Sequence, residues 1–375
     1  MNFSTSTISA AVNKTRVQSH AFEARQLSDV YRQVSAESHS PIVYVQPPTD
    51  CATLGVIDTF RVEQTDPPIH GDEVHAVALR HGLEPKDTAR ISSSIDHKTM
   101  SALASLLYGD LSQDFGQRLD AYIELTASQT LSKTNGILKQ LASQPDLGLR
   151  TLNQSQGESR LGVYKLLLGA AWNGRKDGKP LITETGKKMS QACGYQPDQK
   201  NFSPWQFHQS LIDRVSGVVD NSEYIRGLQK EHANLVSQLA DRGVAIVSSA
   251  GNDNDDFMET RNVYGHRLPE NFDDDITSVG EKLIVGALDT KQTPDDPTDD
   301  EIAGFSSRYS AVSLLADGID VPTLEGRTNT GSSFAAPQVA ATMDKIRREK
   351  PDLTMQELKR ETAGYFRATD GYNIL

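Results

Sequence analysis

One stretch near the C-terminus constrains the fold more than any other, the sequence NTGSSFAAPQVA at residues 329–340. Small residues precede Ser333 and apolar residues at helical spacing follow it, which predicts a tight turn that leads directly into a helix. At the first turn of a helix, a hydroxyl lies near unpaired N–H groups that favour a developing oxyanion. Pro337 is expected in the same first turn. The pattern is typical of a capping serine as well as of a nucleophile.

Three further segments carry the side chains that a serine nucleophile needs. Residues 54–59, LGVIDT, predict a short buried strand that ends on Asp58. Residues 69–74, IHGDEV, place His70 directly before a helical run. Residues 244–252, VAIVSSAGN, predict another buried strand, which ends in a turn at Asn252. Because open α/β sheets bind ligands at the carboxyl ends of their strands, these side chains are expected near one another.

In this chain order, the segments resemble the motifs of the subtilisin-like serine peptidases (subtilases). VIDT at 56–59 is similar to the family's aspartate motif, and HG at 70–71 to its histidine motif. AGN at 250–252 is similar to the turn that bears the oxyanion-hole amide, and LNQSQG at 152–157 to the strand end that holds substrate. GSSFAAP at 331–337 matches the nucleophile motif, with Ser332 in place of the usual threonine. The resemblance spans roughly residues 50–365, with interruptions.

The resemblance implies a three-layer α/β fold, with a mainly parallel central sheet flanked by helices. It implies a serine endopeptidase in which Asp58 orients His70 and His70 takes the proton of Ser333. Asn252 would stabilise the oxyanion together with the backbone N–H of Ser333. The substrate-binding residues implied by the resemblance are Ser155, Gln156, Gly157, Ala250 and Gly251.

The assignment of the histidine leaves alternatives open. Only twelve positions separate Asp58 from His70, which is short for this family. His75 is a rival and His81 a more distant one. Gly71 follows His70, and Val74 falls on the expected inward face of the helix, so His70 is the preferred base.

The rest of the chain predicts one peptidase domain at residues 41–375 behind a polar leader at residues 1–40. The family pattern is lost at about residues 158–222, which predicts an insertion beside the cleft. Residues 84–143 predict helices, and residues 363–375 a surface extension.

Composition limits the partners and cofactors. The net charge of −12 argues against nucleic acid or an anionic membrane as the main partner. The resemblance to the subtilases implies a protein or peptide substrate. No membrane span, no zinc-peptidase motif and no organic cofactor are predicted. Acidic loops at 253–256, 273–275 and 295–301 offer oxygen ligands for calcium, although no defined calcium loop is present. The two cysteines, Cys51 and Cys193, allow at most one disulfide.

Two functional hypotheses follow. The first is an active endopeptidase, and the second is an inactive or weakly active peptide-binding protein of the same fold, for example an exported bacterial effector. A cytoplasmic location is predicted because the leader has no apolar run of signal-peptide length, with export by a specialised system as the alternative.

Overall fold

The protein is described by a computed structural model over residues 27–33, 41–61, 66–109, 114–144, 146, 148–176, 179–195, 203–291, 293 and 298–368. Most of the predicted leader lies outside these residues, apart from a short helix at 27–33. The same holds for part of the acidic loop at 295–301 and for the end of the tail beyond residue 368. None of the described helices is long and apolar enough to cross a membrane.

A sheet of nine strands lies at the centre of the described residues. The strands of the chain are β1 Val43–Gln46, β2 Leu54–Asp58, β3 Thr88–Ser92, β4 Thr151–Gln154, β5 Trp172–Lys176, β6 Lys179–Ile182, β7 Ala245–Ser249, β8 Leu283–Asp289, β9 Glu301–Ile302, β10 Val312–Asp317, β11 Val321–Pro322, β12 Thr328–Asn329 and β13 Arg367–Ala368. Within the sheet the order is β1-β3-β2-β4-β7-β8-β10-β13, with β9 beside β8. The run from β3 to β10 is parallel. β1, β9 and β13 pair antiparallel at its margins.

Helices cover both faces of this sheet. They are α1 His70–Arg80, α2 His97–Tyr108, α3 Phe115–Ser143, α4 Arg160–Ala171, α5 Glu184–Ala192, α6 Pro204–Asn221, α7 Glu223–Asp241, α8 Asn254–Asn262, α9 Ser332–Glu349 and α10 Met355–Ala363. Val56 of β2 packs in a core with α1, α9 and α10, whereas its neighbour Ile57 points to a core with α3 and α7. Strands buried on both faces are continuous apolar runs, which is why β2 and β7 could be recognised in the sequence. The predicted three-layer α/β fold is confirmed.

The stretch predicted as an insertion, at about residues 158–222, contains regular structure. It comprises α4, the β5–β6 hairpin, α5 and α6. The apolar sides of these helices share a core with α3, in which Phe207 is fully buried. The first of these helices, α4, begins six residues after the end of β4.

Three local predictions were wrong. Residues 84–143 are not all helical, because Thr88–Ser92 form β3, which pairs along the whole of β2. Ile91 therefore packs into the core from a strand. Residues 363–375 are not only a surface extension, since Arg367–Ala368 pair with β10. Pro337 lies in the second turn of α9 and not in the first.

Cys51 and Cys193 are both free thiols.

Candidate active site

The carboxyl ends of β2, β4 and β7 meet the first turns of α1 and α9 around one cavity of about 490 Å³. Eight of the nine residues that the sequence predicted for the site line this cavity. They are His70, Ser155, Gln156, Gly157, Ala250, Gly251, Asn252 and Ser333. The ninth, Asp58, is fully buried next to His70. Parallel strands that end on one edge explain why residues up to 275 positions apart converge here.

Asp58 and His70 form a hydrogen-bonded pair. The His70 Nδ1 atom lies 2.9 Å from Oδ1 and 3.0 Å from Oδ2 of Asp58. A carboxylate can only accept, so Nδ1 carries the proton and the Nε2 atom keeps a free lone pair. That tautomer is the one that a general base requires.

The absence of a side chain at Gly71 allows this pair to form. A Cβ atom at Gly71 would lie 2.3 Å from the Thr59 carbonyl oxygen and 2.9 Å from the Asp58 Cβ atom. Without a side chain at this position, the Gly71 N–H can approach the Thr59 carbonyl and donates to it at 2.9 Å. The first turn of α1 is thereby held directly against the end of β2, and the short connection between Asp58 and His70 is compatible with contact.

The Gln156 side chain makes contacts that the sequence did not predict, and the predicted contact with substrate stays a prediction. Its Nε2 group donates to Asp58 Oδ1 at 3.0 Å and to Thr59 Oγ1 at 3.2 Å, while its Oε1 atom accepts from the Ser93 hydroxyl. The backbone N–H of Thr59 also donates to Asp58 Oδ1, at 2.7 Å. The Gln156 side chain therefore supports the buried carboxylate. The motif did not indicate this contact, because it pointed only to a contact with substrate.

The electrostatics of His70 favour its protonated form. Burial lowers the pKa of His70, but the hydrogen bond and the negative charge of Asp58, together with Glu73, outweigh burial and raise the pKa above its usual 6.5. A positive charge that develops on the imidazole is stabilised in this position. The ring also contacts Phe334, with centroids 5.6 Å apart.

Ser333 is held by a reciprocal pair of bonds with Ser155. The Ser333 hydroxyl donates to the Ser155 carbonyl, and the Ser155 hydroxyl donates to the Ser333 carbonyl, both at 3.1 Å. The second bond has a clear reason, because Pro337 lacks the N–H that would reach the Ser333 carbonyl four residues earlier. Among the described residues, the Ser333 hydroxyl makes no hydrogen bond with His70.

Asn252 is oriented by the backbone of α9. Its Oδ1 atom accepts from the Ser332 N–H at 2.8 Å. An N–H can only donate, so this contact fixes the oxygen and leaves the Nδ2 group on the other side. Asn252 is exposed, and Nδ2 would lie 3.2 Å from a Cβ atom at Gly331, whose φ of +154° also disfavours a side chain. Nδ2 is thus an available donor beside Ser333.

The rival histidines lie elsewhere. His75 is buried, and its Nε2 atom lies 2.8 Å from the Thr88 hydroxyl. Burial, with the nearby charge of Arg90, lowers the pKa of His75 to about 4. His81 lies at the end of α1, where its Nδ1 atom is 3.0 Å from the Val77 carbonyl. Of these three histidines, His70 is the one that lines the cavity.

A group of carboxylates on the cavity wall was not predicted as part of the site. Glu158, Asp253, Asp273 and Asp275 all line the cavity. In the sequence, three of them belong to acidic loops that were considered only as possible ligands for calcium. No group of three or more His, Cys, Asp or Glu side chains within the described ranges is arranged to hold a metal ion.

A family model described as "Subtilase family" matches residues 171–364, just over half of the chain. The match begins inside the predicted insertion and includes Asn252 and Ser333, whereas Asp58 and His70 precede it. A search of curated proteins gave no match.

Several solved structures are similar to this chain at low identity. The S41 psychrophilic protease has a TM-score of 0.33 and 15% identity over 83% of this chain and 81% of its own. A cold adapted subtilisin-like serine proteinase has a TM-score of 0.34 and 14% identity, with the same coverage of 83% and 81%. The prenylagaramide maturation protease PagA has a TM-score of 0.33 and 13% identity, over 88% of this chain and 83% of its own. Scores this low carry no argument about function.

Proposed function

The chain belongs to the subtilase family of serine proteases, and from this premise we propose that it is an endopeptidase that uses Ser333 as its nucleophile. The observation that carries the proposal is the hydrogen-bonded pair of Asp58 and His70 on the cavity that Ser333 also lines. A histidine with its Nδ1 proton fixed by a carboxylate and its Nε2 free beside a serine is the arrangement that acyl transfer needs.

The proposed reaction begins when the Ser333 hydroxyl turns from the Ser155 carbonyl toward His70. The Ser333 oxygen attacks the peptide carbonyl carbon, and His70 Nε2 takes the hydroxyl proton. The same proton passes to the leaving amine, which departs and leaves an acyl-enzyme. Water then attacks the ester, again with His70 as base, and releases the acid while Ser333 regains its proton.

The developing oxyanion requires donors that are already in place. Asn252 Nδ2 and the backbone N–H of Ser333, in the first turn of α9, are proposed to supply them. Asp58 stabilises the imidazolium, and Gln156 and Thr59 hold Asp58 in the orientation that His70 requires.

The substrate is proposed to be a protein or peptide in extended form. The end of β4 leads to Ser155, Gln156 and Gly157 on one wall, and Ala250 and Gly251 follow β7 on the other. Backbone groups at such ends bind an extended chain with little demand on its sequence. The mechanism requires no cofactor, and calcium remains a prediction.

A second candidate function has one observation in its favour. The Ser333 hydroxyl is engaged by the Ser155 carbonyl and not by His70, which would also suit a protein that binds peptides without cleaving them.

Labelling with a phosphonofluoridate separates these two functions. We expect one covalent adduct per chain, detected by intact mass, and no adduct on the Ser333→Ala variant. Ser310→Ala, which changes an exposed serine, is the matched control and should label normally. A chain that binds peptides but neither labels nor hydrolyses any member of a peptide library would contradict the endopeptidase and leave the binding protein.

A further inference from the structure

The cavity that contains Ser333 continues to a wall lined by carboxyl groups. Four carboxylates line it, from Glu158, Asp253, Asp273 and Asp275. Their placement is different in kind from a solvated acidic loop, since Asp273 and Asp275 are only 7% and 8% exposed. Burial of a charge without a partner is unfavourable, so the partners of each carboxylate decide what this wall can bind.

Two of the four carboxylates are satisfied within the protein. Asp275 accepts from the N–H groups of Thr277 and Glu158 at 2.9 and 3.2 Å, and from the Thr277 hydroxyl at 2.7 Å. Asp253 accepts from the Ser159 hydroxyl at 2.7 Å and pairs with Lys165 at 3.2 Å. These two groups have structural roles.

The other two carboxylates lack comparable partners. Within the described part of the chain, the Asp273 carboxylate is hydrogen-bonded only to its own backbone and forms no ion pair. The residue as a whole is only 7% exposed. Glu158 accepts one bond, from the Ser159 N–H at 3.2 Å to Oε1, and its Oε2 atom receives none from the described residues. Burial raises the pKa of Asp273 to about 6 and that of Glu158 to about 8, where the charges of Asp253 and Asp275 add to the effect.

The positive charges nearby do not balance this wall. Lys165 is paired with Asp253 and Asp256, and Lys282 is buried beside Asp275. Lys133, from α3, also lines the cavity, so that one lysine lies there together with the four carboxyl groups. Ile95 and Thr130 line it as well, and they offer an apolar surface on which a methylene chain can lie.

We propose that this wall is the specificity pocket of the enzyme and that it binds a lysine or arginine side chain of the substrate, with Asp273 and Glu158 as the residues that select it. The proposal rests on the endopeptidase function. The cationic head would supply a partner for Asp273 and for the Glu158 Oε2 atom, and the planar guanidinium of arginine offers more N–H donors than the ammonium of lysine. We take the residue concerned to be the one on the acyl side of the cleaved bond, since its carbonyl is the group that Ser333 attacks in this cavity.

The test compares peptides that differ only in charge. Coumarin-linked tetrapeptides with arginine or citrulline before the cleaved bond have nearly the same shape, and citrulline is neutral. We expect kcat/KM to be at least about tenfold higher for arginine. Asp273→Asn and Glu158→Gln should each lower this ratio severalfold, and the double variant should bring it close to one. Asp274→Asn, which makes the same change at the adjacent position outside the cavity lining, should keep the wild-type ratio.

A binding measurement separates failure of this proposal from failure of the proposed function. The Ser333→Ala variant should bind the arginine peptide at least about tenfold more tightly than the citrulline peptide in fluorescence anisotropy, and Asp273→Asn in that background should remove the difference. Equal affinities of Ser333→Ala for the two peptides, or equal hydrolysis of both by the wild type, would overturn the basic specificity and leave the peptidase intact. Selective binding of the arginine peptide without any hydrolysis would support the proposed pocket and contradict the proposed peptidase activity.

Discussion

The two halves of the candidate active site are assembled to different degrees. In the first half, Asp58 and His70 are already joined, and Gln156, Thr59 and the close approach at Gly71 hold them together. In the second half, Asn252 is oriented by α9, but the Ser333 hydroxyl is bonded to Ser155. The match to the family model covers the second half, with Asn252 and Ser333, and begins after the residues of the first half.

This difference shows that a segment can match the family motif closely while its side chains are not yet in the reactive arrangement. The segment around Ser333 follows the family motif closely because a turn, a nucleophile and a helix start must all fit into a few residues. The pair of Asp58 and His70 needs only the end of β2 and the start of α1 to lie at the right distance. The sequence around these two residues is therefore less constrained. The following predictions test whether the first half sets the chemistry and the second half the position of the nucleophile.

The largest effect is expected from His70→Ala. Loss of the general base should lower kcat/KM by at least about 10⁴-fold with little change in thermal stability, because the side chain is partly exposed. His75→Ala should do the reverse, reducing the free energy of unfolding by about 1–3 kcal/mol while kcat is largely kept, since it removes a buried hydrogen bond. His81→Ala is the control for both measurements. Full activity of His70→Ala would contradict the assignment.

Asp58→Asn should lower kcat/KM by about 10³–10⁴-fold, because an amide no longer fixes the proton on Nδ1 of His70. It should also move the acidic limb of the pH–rate profile. His70 acts as a base only when neutral, and the charge of Asp58 raises its pKa, so activity in the wild type rises through a pKa above 6.5. Removal of that charge should shift the limb to lower pH. Asp50→Asn, on an exposed residue, should leave the profile unchanged, and an unshifted limb in Asp58→Asn would refute the pairing.

Asn252→Ala should lower kcat by about 10²–10³-fold and leave KM nearly unchanged, since the Nδ2 donor is needed only when the oxyanion develops. Asn262→Ala, at the exposed end of α8, is the control. A change confined to KM would indicate that Asn252 binds ground-state substrate.

The smallest effect is expected from Ser155→Ala, which removes the donor to the Ser333 carbonyl. We expect a loss of about 1–3 kcal/mol in the free energy of unfolding, measured in urea. In a Pro337→Ala background, position 337 regains an N–H that can reach the same carbonyl, so Ser155→Ala should cost clearly less. Ser128→Ala is the matched control, because the buried Ser128 hydroxyl donates to the helical carbonyl of Leu125. Equal costs of Ser155→Ala in both backgrounds would show that Pro337 does not create the need for Ser155.

The resemblance of short motifs to those of the subtilases was sufficient to predict the fold class, and eight of the nine residues predicted for the site line one cavity. Apolar runs identified β2 and β7, and the small residues around Ser333 identified the start of α9, because each pattern reflects interactions among neighbouring residues. The position of Pro337 in the second turn and the strand β3 were missed. Both depend on what packs against them, namely Ser155 in one case and β2 in the other.

The sequence by itself determined which side chains could react and roughly where the main strands and helices would form, since nucleophile, base and apolar periodicity are properties of short segments. Only the tertiary structure decided that Gln156 supports Asp58 and that His70, and not His75, lines the cavity of Ser333. It also decided that Asp273 lies on the wall of this cavity without a hydrogen bond from any other described residue. The physical reason is that these features arise where the ends of distant strands and helices meet, and no local pattern encodes the partner that a side chain finds there.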